Sequence, residues 1–225
     1  TAFNLGYNVL QVFFEDNPKI VQRKHFTLWT GIAPDDLVIH KEEVMSKINE
    51  VHETMKNELI LKKLSSDSMT MNQIKNQVRK MIAEGNKLDM IVVDYIDCIA
   101  PTKQFKDDYS GEGPIMRQFE TMIAELNIAG WTAIQGNRSS ISADIVTGDQ
   151  MGGSIKKAQI GHFIMSIART LSQKESNRAT IAVLKSRFGK DGVIFEDCTF
   201  DNGRVFIDTE AAETFLGYER KVVER

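Results

Sequence analysis

The sequence is short of the residues that mark several classes of protein. Its two cysteines, Cys98 and Cys198, are too few for a disulfide framework and lack the spacing of metal ligands. The four histidines form no cluster. No apolar stretch approaches the roughly 18 residues of a membrane-spanning helix, and the first residues lack the basic start and apolar run of a signal peptide. We therefore expect a cytoplasmic protein that does not contact the membrane.

A large excess of charge of one sign is also missing. The 28 Lys and Arg residues nearly balance the 31 Asp and Glu residues, which leaves a net charge of −3. This balance excludes a protein coated in basic charge, so any contact with nucleic acid must be local. A chain of 225 residues that is 42% hydrophobic can build one sizeable α/β domain with a continuous core.

Helix and strand signals alternate along the chain. Met90–Val93 is a continuous apolar run that ends at Asp94, which is typical of a strand buried on both faces of a parallel sheet. Asn202-Gly203 between two apolar runs predicts a hairpin turn. The pattern predicts a single α/β domain over 1–225, with a mainly parallel sheet flanked by helices and an antiparallel hairpin at its edge. The predicted helices are 18–30, 41–61, 70–83 and 114–127, and the predicted strands are 9–14, 90–94, 131–135, 162–168, 179–186, 192–197 and 204–208.

Three polar residues, Glu15, Asp94 and Gln135, end predicted strands. In open α/β sheets, ligands bind beyond the carboxyl ends of the strands. There an aspartate can hold a magnesium ion beside a nucleotide, usually through water, and a second carboxylate can activate the attacking water. An amide at the next strand end can sense the terminal phosphate. Taken singly, each residue is more often a turn residue or a solvated side chain. Their order along the chain favours a joint site.

A basic segment over 185–192 follows the strand predicted at 179–186. Lys185 and Arg187 are separated by one residue, so they project to the same side of an extended segment. A pair of fixed cations suits the phosphate charge that develops in a transition state, as an arginine finger does. On composition alone a solvated basic hairpin loop is the commoner structure, so both interpretations stay open.

The ordered set of these motifs resembles the motor domain of the DnaB-type replicative helicases. The spacing is more similar to bacteriophage members than to bacterial ones, and the resemblance runs from Ala2 to Asp208. Each motif is unspecific alone, and the ordered set is considerably more specific. The motifs are Phe14-Glu15, Ile91-Val92-Val93-Asp94-Tyr95, Gln135-Gly136-Asn137-Arg138, Gly153-Ser154-Ile155 and Lys185-Ser186-Arg187-Phe188-Gly189-Lys190-Asp191-Gly192.

The resemblance implies a RecA-like fold that assembles as a homo-oligomer, a hexameric ring around single-stranded DNA. ATP and Mg²⁺ are the implied cofactors, with the nucleotide bound between neighbouring subunits. Carried over position by position, Glu15 is the general base, Asp94 is the Walker B carboxylate that holds magnesium through water, and Gln135 is the sensor. Lys185 and Arg187 reach in trans into the nucleotide site of the neighbour.

The polar segment 139–157 corresponds to the DNA-facing central loop of that family. Its glycines let the backbone approach phosphates closely, and its lysines add local charge that would make binding salt-dependent. A flexible surface loop is the alternative interpretation. The DNA-binding candidates are Arg138, which anchors the loop or senses nucleotide, and Gly152, Gly153, Ser154, Lys156 and Lys157.

The sequence departs from the family pattern in two places. No phosphate-binding loop of the form G-x-x-x-x-G-K-[ST] occurs, and we expect that loop, with its strand and helix, to precede Thr1. Where bacterial members are acidic after the central loop, this chain has Lys156-Lys157-Ala158-Gln159-Ile160-Gly161-His162. We expect His162 to be a structural residue rather than a catalyst.

The resemblance therefore predicts an NTP hydrolase and DNA helicase that acts in replication, in the cytoplasm of the host if the protein is of phage origin. Two alternatives remain from the residues alone. One is a RecA-like ring module that binds nucleic acid or partners without hydrolysis, and the other is a RecA-like recombinase or loader ATPase. Whether a primase or a helicase loader docks on the chain is left open.

Overall fold

The computed structural model of the chain describes residues 2–65, 69–101, 108–137, 145–147, 150, 155–209 and 213–215. It divides into two compact units, Thr1–Ile134 and Gln135–Arg225. Each unit has its own sheet. The sequence prediction of one domain over 1–225 remains a prediction.

The first unit is built on a parallel sheet of four strands in the order β2-β1-β3-β4. In this sheet Phe13 lies opposite Lys63 on one side and opposite Asp94 on the other. The carboxyl ends of three neighbouring strands therefore meet at one edge. The strands are β1 (Val9–Phe13), β2 (Leu59–Lys63), β3 (Met90–Asp94) and β4 (Ala129–Thr132).

Two helices of the first unit, α1 and α3, begin at local side-chain caps. Asn17 accepts a hydrogen bond from the Lys19 backbone N–H, and Pro18 occupies the first helical position of α1. Thr70 and Gln73 form a reciprocal capping box that opens α3. Among the described residues, no helix combines the length and apolar character needed to cross a membrane. The helices are α1 (Pro18–Thr30), α2 (Lys41–Thr54), α3 (Met71–Ala83) and α4 (Asp108–Leu126), with 3₁₀ turns at Phe3–Leu5 and Ile96–Cys98.

The core of the first unit lies between the sheet and the helices α3 and α4. Alternate residues of β1 and β3 point into it, because successive side chains of a strand face opposite sides. Every buried member is at most 8% exposed, so this face is closed to water. The buried members of this core include Leu10, Val12, Ile74, Val78, Ile91, Val93, Phe119 and Met122.

The second unit is built on an antiparallel sheet of five strands. Four strands follow the order β5-β6-β7-β8, and β9 pairs with β7. A second capping box, made by Thr170 and Gln173, opens the short helix α6. The elements are α5 (Ile155–Ile160), β5 (Phe163–Ala168), α6 (Leu171–Glu175), β6 (Arg178–Ser186), β7 (Val193–Asp201), β8 (Phe206–Asp208) and β9 (Glu213–Phe215).

The predicted fold class is confirmed, with two differences in detail. The antiparallel strands form a sheet of their own rather than a hairpin at the edge of the parallel one. The helix predicted over 41–61 starts as predicted, but its predicted end is wrong, since α2 ends at Thr54 and Leu59–Lys63 is a strand. The cause is tertiary, because the Asn57 side chain donates hydrogen bonds to the carbonyl oxygens of Phe3 and Tyr7, at 2.9 and 2.8 Å.

Several other predicted boundaries differ from the observed ones by smaller amounts. The strand predicted over 131–135 is β4 and ends at Thr132, and the helix predicted over 114–127 starts earlier and contains Pro114. The short helix α5 begins inside the segment 139–157, predicted as a polar loop, and continues beyond it to Ile160. Helices α1 and α3 match their predicted ranges closely, because both depend on a local cap.

Gly130 in β4 permits close approach of α4. A Cβ atom at this position would lie 2.7 Å from Ile123 Cγ2 and 2.9 Å from Phe119 Cζ, closer than real contacts allow. We expect Gly130→Ala to lower the free energy of unfolding by about 1–3 kcal/mol, because overpacking a core displaces side chains from their rotamers. Urea unfolding measures this. Gly189→Ala is the matched control, since nothing lies within 4 Å of its Cβ position. Equal stability of both variants would contradict the packing account.

Candidate active site

Polar side chains gather at the carboxyl edge of the parallel sheet. Asp94 is the last residue of β3, and Glu15 lies two residues beyond the end of β1. The register of the ladder, with Phe13 opposite Asp94, brings the two segments side by side. The structure thus joins two residues that the sequence predicted as partners.

The Asp94 carboxyl group lies in a negatively charged environment. Partial desolvation raises the pKa of Asp94, and the charges of Asp16 and Glu15 raise it further, while Lys24 acts in the opposite direction. Each of these neighbours belongs to the segment that follows β1 or to α1. A cation bound here would relieve the repulsion between the carboxylates.

Tyr95 contacts the Glu15 carboxylate directly. Its hydroxyl donates a hydrogen bond to Glu15 Oε1 at 3.2 Å, and the Asp94–Tyr95 peptide bond is cis. Desolvation raises the pKa of Tyr95 to about 12, with the hydrogen bond to Cys98 and the charge of Glu15 as further causes. The phenol therefore stays protonated at neutral pH and remains a donor to the carboxylate.

Two lysines hold the segment that contains Glu15. The Lys63 ammonium donates hydrogen bonds to the carbonyl oxygens of Glu15 and Asp16, at 3.1 and 3.0 Å. Lys24 Nζ pairs with the Asp16 carboxylate at 2.6 Å. Sequence reasoning missed Lys63, and recognising the apolar run at 59–61 as a strand would have placed it at a carboxyl end.

The carboxylates fit a magnesium ion that is held through water. Within the described ranges, no three His, Cys, Asp or Glu side chains are arranged to bind a metal ion directly. Magnesium often keeps most of its waters and needs only one or two carboxylates. The accumulation of negative charge around Asp94 meets that requirement.

Gln135, the predicted sensor, lies three residues beyond the end of β4 and is exposed. It is the first residue of the second unit, whereas Glu15 and Asp94 belong to the first. The Thr132 hydroxyl, at the end of β4, donates to the carbonyl oxygen of Val93 at 2.8 Å. The sensor role of Gln135 remains a prediction.

The two predicted trans cations differ in their surroundings. Lys185 Nζ donates hydrogen bonds to the carbonyl oxygens of Ala158 and Gln159 in α5, at 2.9 and 2.8 Å. Desolvation lowers the pKa of Lys185, and the charge of Arg187 lowers it further. Arg187 is exposed just beyond β6, and among the described residues its guanidinium group makes no hydrogen bond or ion pair. Its backbone N–H binds the carbonyl oxygen of His162.

The predicted DNA-binding residues are only partly described. Arg138, Gly152, Gly153 and Ser154 lie outside the described residues, as does the side chain of Lys156. Lys157 is 1% exposed and interacts with other groups of the protein, so its ammonium group is not open to a phosphate in this conformation. The partly buried ring of His162 meets the ring of Phe188 edge-on, with 6.3 Å between centroids.

We predict that Asp94→Asn raises the melting temperature of the nucleotide-free protein at pH 7. The raised pKa of Asp94 means that its ionised form disfavours folding. This penalty is absent below the usual pKa of an aspartate, where both states are protonated, and it is complete above the folded pKa. The gain of the variant should therefore vanish in acid. Thermal unfolding over a pH series measures it.

Asp36→Asn is the control for charge removal alone. Asp36 is exposed, and its side chain makes no hydrogen bond or ion pair within the described part of the chain. An equal gain in stability for both variants would show that net charge, rather than the site around Asp94, is the cause.

Comparison with known proteins identifies a family that has similar sequences and structures. The profile of the DnaB-like helicase C terminal domain matches residues 30–202. A DnaB-like replicative helicase, described with its interactions with primase, aligns with a TM-score of 0.77 at 14% identity, over 92% of this chain and 51% of that one. A second solved structure, described as an ATPase domain, aligns with a TM-score of 0.74 at 14% identity, over 90% of this chain and 74% of that one.

The matches cover a defined part of each protein. No curated protein sequence matches the chain. The chain spans about half the length of the first of the two solved proteins. At 14% identity the two structures show the fold, which is RecA-like, and the profile covers more than half of the residues. The chain therefore belongs to the family of DnaB-like helicase C-terminal domains.

Proposed function

We propose that this chain is the motor domain of a replicative DNA helicase, which hydrolyses ATP at subunit interfaces, moves along single-stranded DNA and unwinds duplex. The observation that best supports the proposal is the pairing of Glu15 and Asp94 at the ends of adjacent parallel strands. This is where α/β proteins bind nucleotides. Membership of the DnaB-like family supplies the context.

In this proposal, the two carboxylates have different tasks. Asp94 holds Mg²⁺ through water, and the ion neutralises phosphate charge when it is bound. Glu15 accepts a proton from the attacking water, as a general base does. Tyr95 keeps a hydrogen bond on one oxygen of Glu15, which leaves the other oxygen for the water. Gln135 senses the terminal phosphate.

The remaining catalytic charge comes from the neighbouring subunit of a ring, which we propose to be a hexamer. Arg187 is exposed and suited to reach a phosphate in trans. Lys185, the other predicted trans cation, would first have to leave the carbonyl oxygens of α5. We therefore propose Arg187 as the principal finger and Lys185 as a second cation.

The proposed DNA contact is the central loop. Backbone amides at Gly152, Gly153 and Ser154 would bind phosphates, with Arg138 and Lys156 beside them. Lys157 would contribute only after leaving its buried position. As partners we propose single-stranded DNA and a primase or helicase loader. One of the solved relatives is described with its interactions with primase. The cytoplasm, of the host for a phage protein, is the proposed location.

The second candidate function is a RecA-like ring module that binds nucleic acid or partners without hydrolysis. Turnover of ATP by the full-length protein would eliminate this candidate. Strand displacement on a forked duplex would separate a helicase from a RecA-like recombinase or loader ATPase.

We predict that Glu15→Gln in the full-length protein lowers ATP turnover by about 100-fold or more, because the general base is lost. Nucleotide binding should stay close to that of the unchanged protein, since glutamine retains the size of the side chain. Steady-state turnover and nucleotide titration measure the two quantities. Glu58→Gln, at an exposed site before β2, is the control. Normal turnover in the Glu15 variant would remove Glu15 from the base role.

We predict that Arg187→Ala lowers turnover by about 10³-fold or more while nucleotide still binds, as loss of an arginine finger does. A mixing experiment tests the position in trans. Subunits with Arg187→Ala supply an intact Glu15, and subunits with Glu15→Gln supply an intact Arg187. Mixed rings therefore contain some complete sites, and turnover should rise above that of either variant alone. Binding loss as large as the turnover loss, or no recovery on mixing, would contradict the finger.

A further inference from the structure

The segment between β1 and α1 has little regular structure of its own. It spans Phe14 to Asn17 and consists of bends rather than helix or strand. Glu15, the proposed general base, lies in its middle and is exposed. A base must stay within about 3 Å of the proton that it accepts. The position of Glu15 therefore depends on contacts from neighbouring elements.

Lys63 contacts the backbone of this segment from the neighbouring strand β2. One ammonium group donates to two successive carbonyl oxygens, those of Glu15 at 3.1 Å and Asp16 at 3.0 Å. The register puts Lys63 directly opposite Phe13, and the next backbone N–H, that of Leu64, donates to the Phe13 carbonyl oxygen at 2.9 Å. The Lys63 side chain thus connects β2 to Glu15 and Asp16, which lie beyond the last residue pair of the β1–β2 ladder.

The other groups of the edge bind side chains of this segment rather than its backbone. Lys24 takes the Asp16 carboxylate at 2.6 Å, and Tyr95 donates to the Glu15 carboxylate. The Lys63 ammonium therefore acts on backbone oxygens, while the Glu15 carboxylate keeps its capacity to accept a proton. A lysine paired with the carboxylate itself would favour the ionised form and weaken it as a base.

We propose that Lys63 is a positioning residue for ATP hydrolysis, which fixes the backbone of the segment Phe14–Asn17 so that Glu15 meets the attacking water. This inference rests on the proposed role of Glu15. In this role Lys63 does not contact the nucleotide. A lysine at the carboxyl edge of a parallel sheet could instead bind a phosphate of the nucleotide. The two uses predict different kinetics.

The test is Lys63→Met in the full-length protein, with Lys62→Met as the matched control. Lys62 is the preceding residue of β2 and faces the other side of the sheet. We expect Lys63→Met to lower kcat by about tenfold or more, because misplacement of a catalytic group by 1 Å costs up to about 100-fold. The dissociation constant of ATP should change by less than about twofold. Lys62→Met should leave both quantities unchanged.

A second readout needs no nucleotide. Hydrogen–deuterium exchange of the nucleotide-free protein should be faster at residues 14–17 in Lys63→Met than in the unchanged protein or in Lys62→Met. Exchange in β6 serves as an internal reference for global unfolding. Lys63→Arg, whose guanidinium group can also donate to carbonyl oxygens, should recover part of kcat and part of the protection. Lys63→Gln replaces Lys63→Met if the latter fails to fold.

The outcomes separate the possibilities. Loss confined to nucleotide affinity would make Lys63 a phosphate ligand and overturn the proposal, as would unchanged kcat or equal effects of the Lys62 variant. If Glu15→Gln retains turnover, the role of Glu15 fails, and the proposal for Lys63 fails with it whatever its exchange result. If Glu15→Gln is inactive and Lys63→Met is fully active, only the inference about Lys63 fails.

Discussion

The parallel register of β1 with its two neighbours is the constraint on which the site depends. Phe13 lies opposite both Lys63 and Asp94, so the residues that end β1, β2 and β3 emerge at one edge. The same register puts Val12 in the core. Because the side-chain period of a strand is two, a slip of one residue would expose that core face and also separate Asp94 from the segment after β1. The packing that stabilises the sheet thus also positions the carboxylates.

The parts of this arrangement that follow from local chemistry could be predicted from the sequence. An apolar run that ends in a carboxylate marks Asp94 whatever the rest of the chain does, and the caps of α1 and α3 define their own ends. Strand β2 could not be recognised in this way. The apolar spacing of the preceding helix continues to Leu61, and the chain leaves the helix because Asn57 binds carbonyl oxygens some 50 residues earlier in the sequence. Missing that strand meant missing Lys63.

Three of the predicted cations show a second limit of prediction from the sequence. Lys157, Lys185 and Arg187 are all basic residues beside glycine-rich or extended segments, and composition gives no way to separate them. In the structure Lys157 is buried, Lys185 binds the carbonyl oxygens of α5, and Arg187 is exposed. A lysine that donates hydrogen bonds to helix carbonyl oxygens and a lysine that binds a phosphate use the same ammonium group. The sequence around the lysine is therefore the same in both cases. Only the tertiary neighbours distinguish them, and these depend on residues far apart in the sequence.

The two lysines at the sheet edge bind different groups. Lys24 neutralises Asp16, and Lys63 binds uncharged backbone oxygens, so neither lysine forms an ion pair with Glu15 or Asp94 in this structure. Within the described part of the chain, the hydrogen-bond partner of the Glu15 carboxylate is the neutral phenol of Tyr95, whose pKa is raised to about 12. The edge therefore keeps negative charge that these groups do not cancel, and this charge adds to the partial desolvation that is the main cause of the raised pKa of Asp94. Such a site is less stable empty than a neutralised one would be, and in the proposed function that cost would be relieved by the binding of a cation.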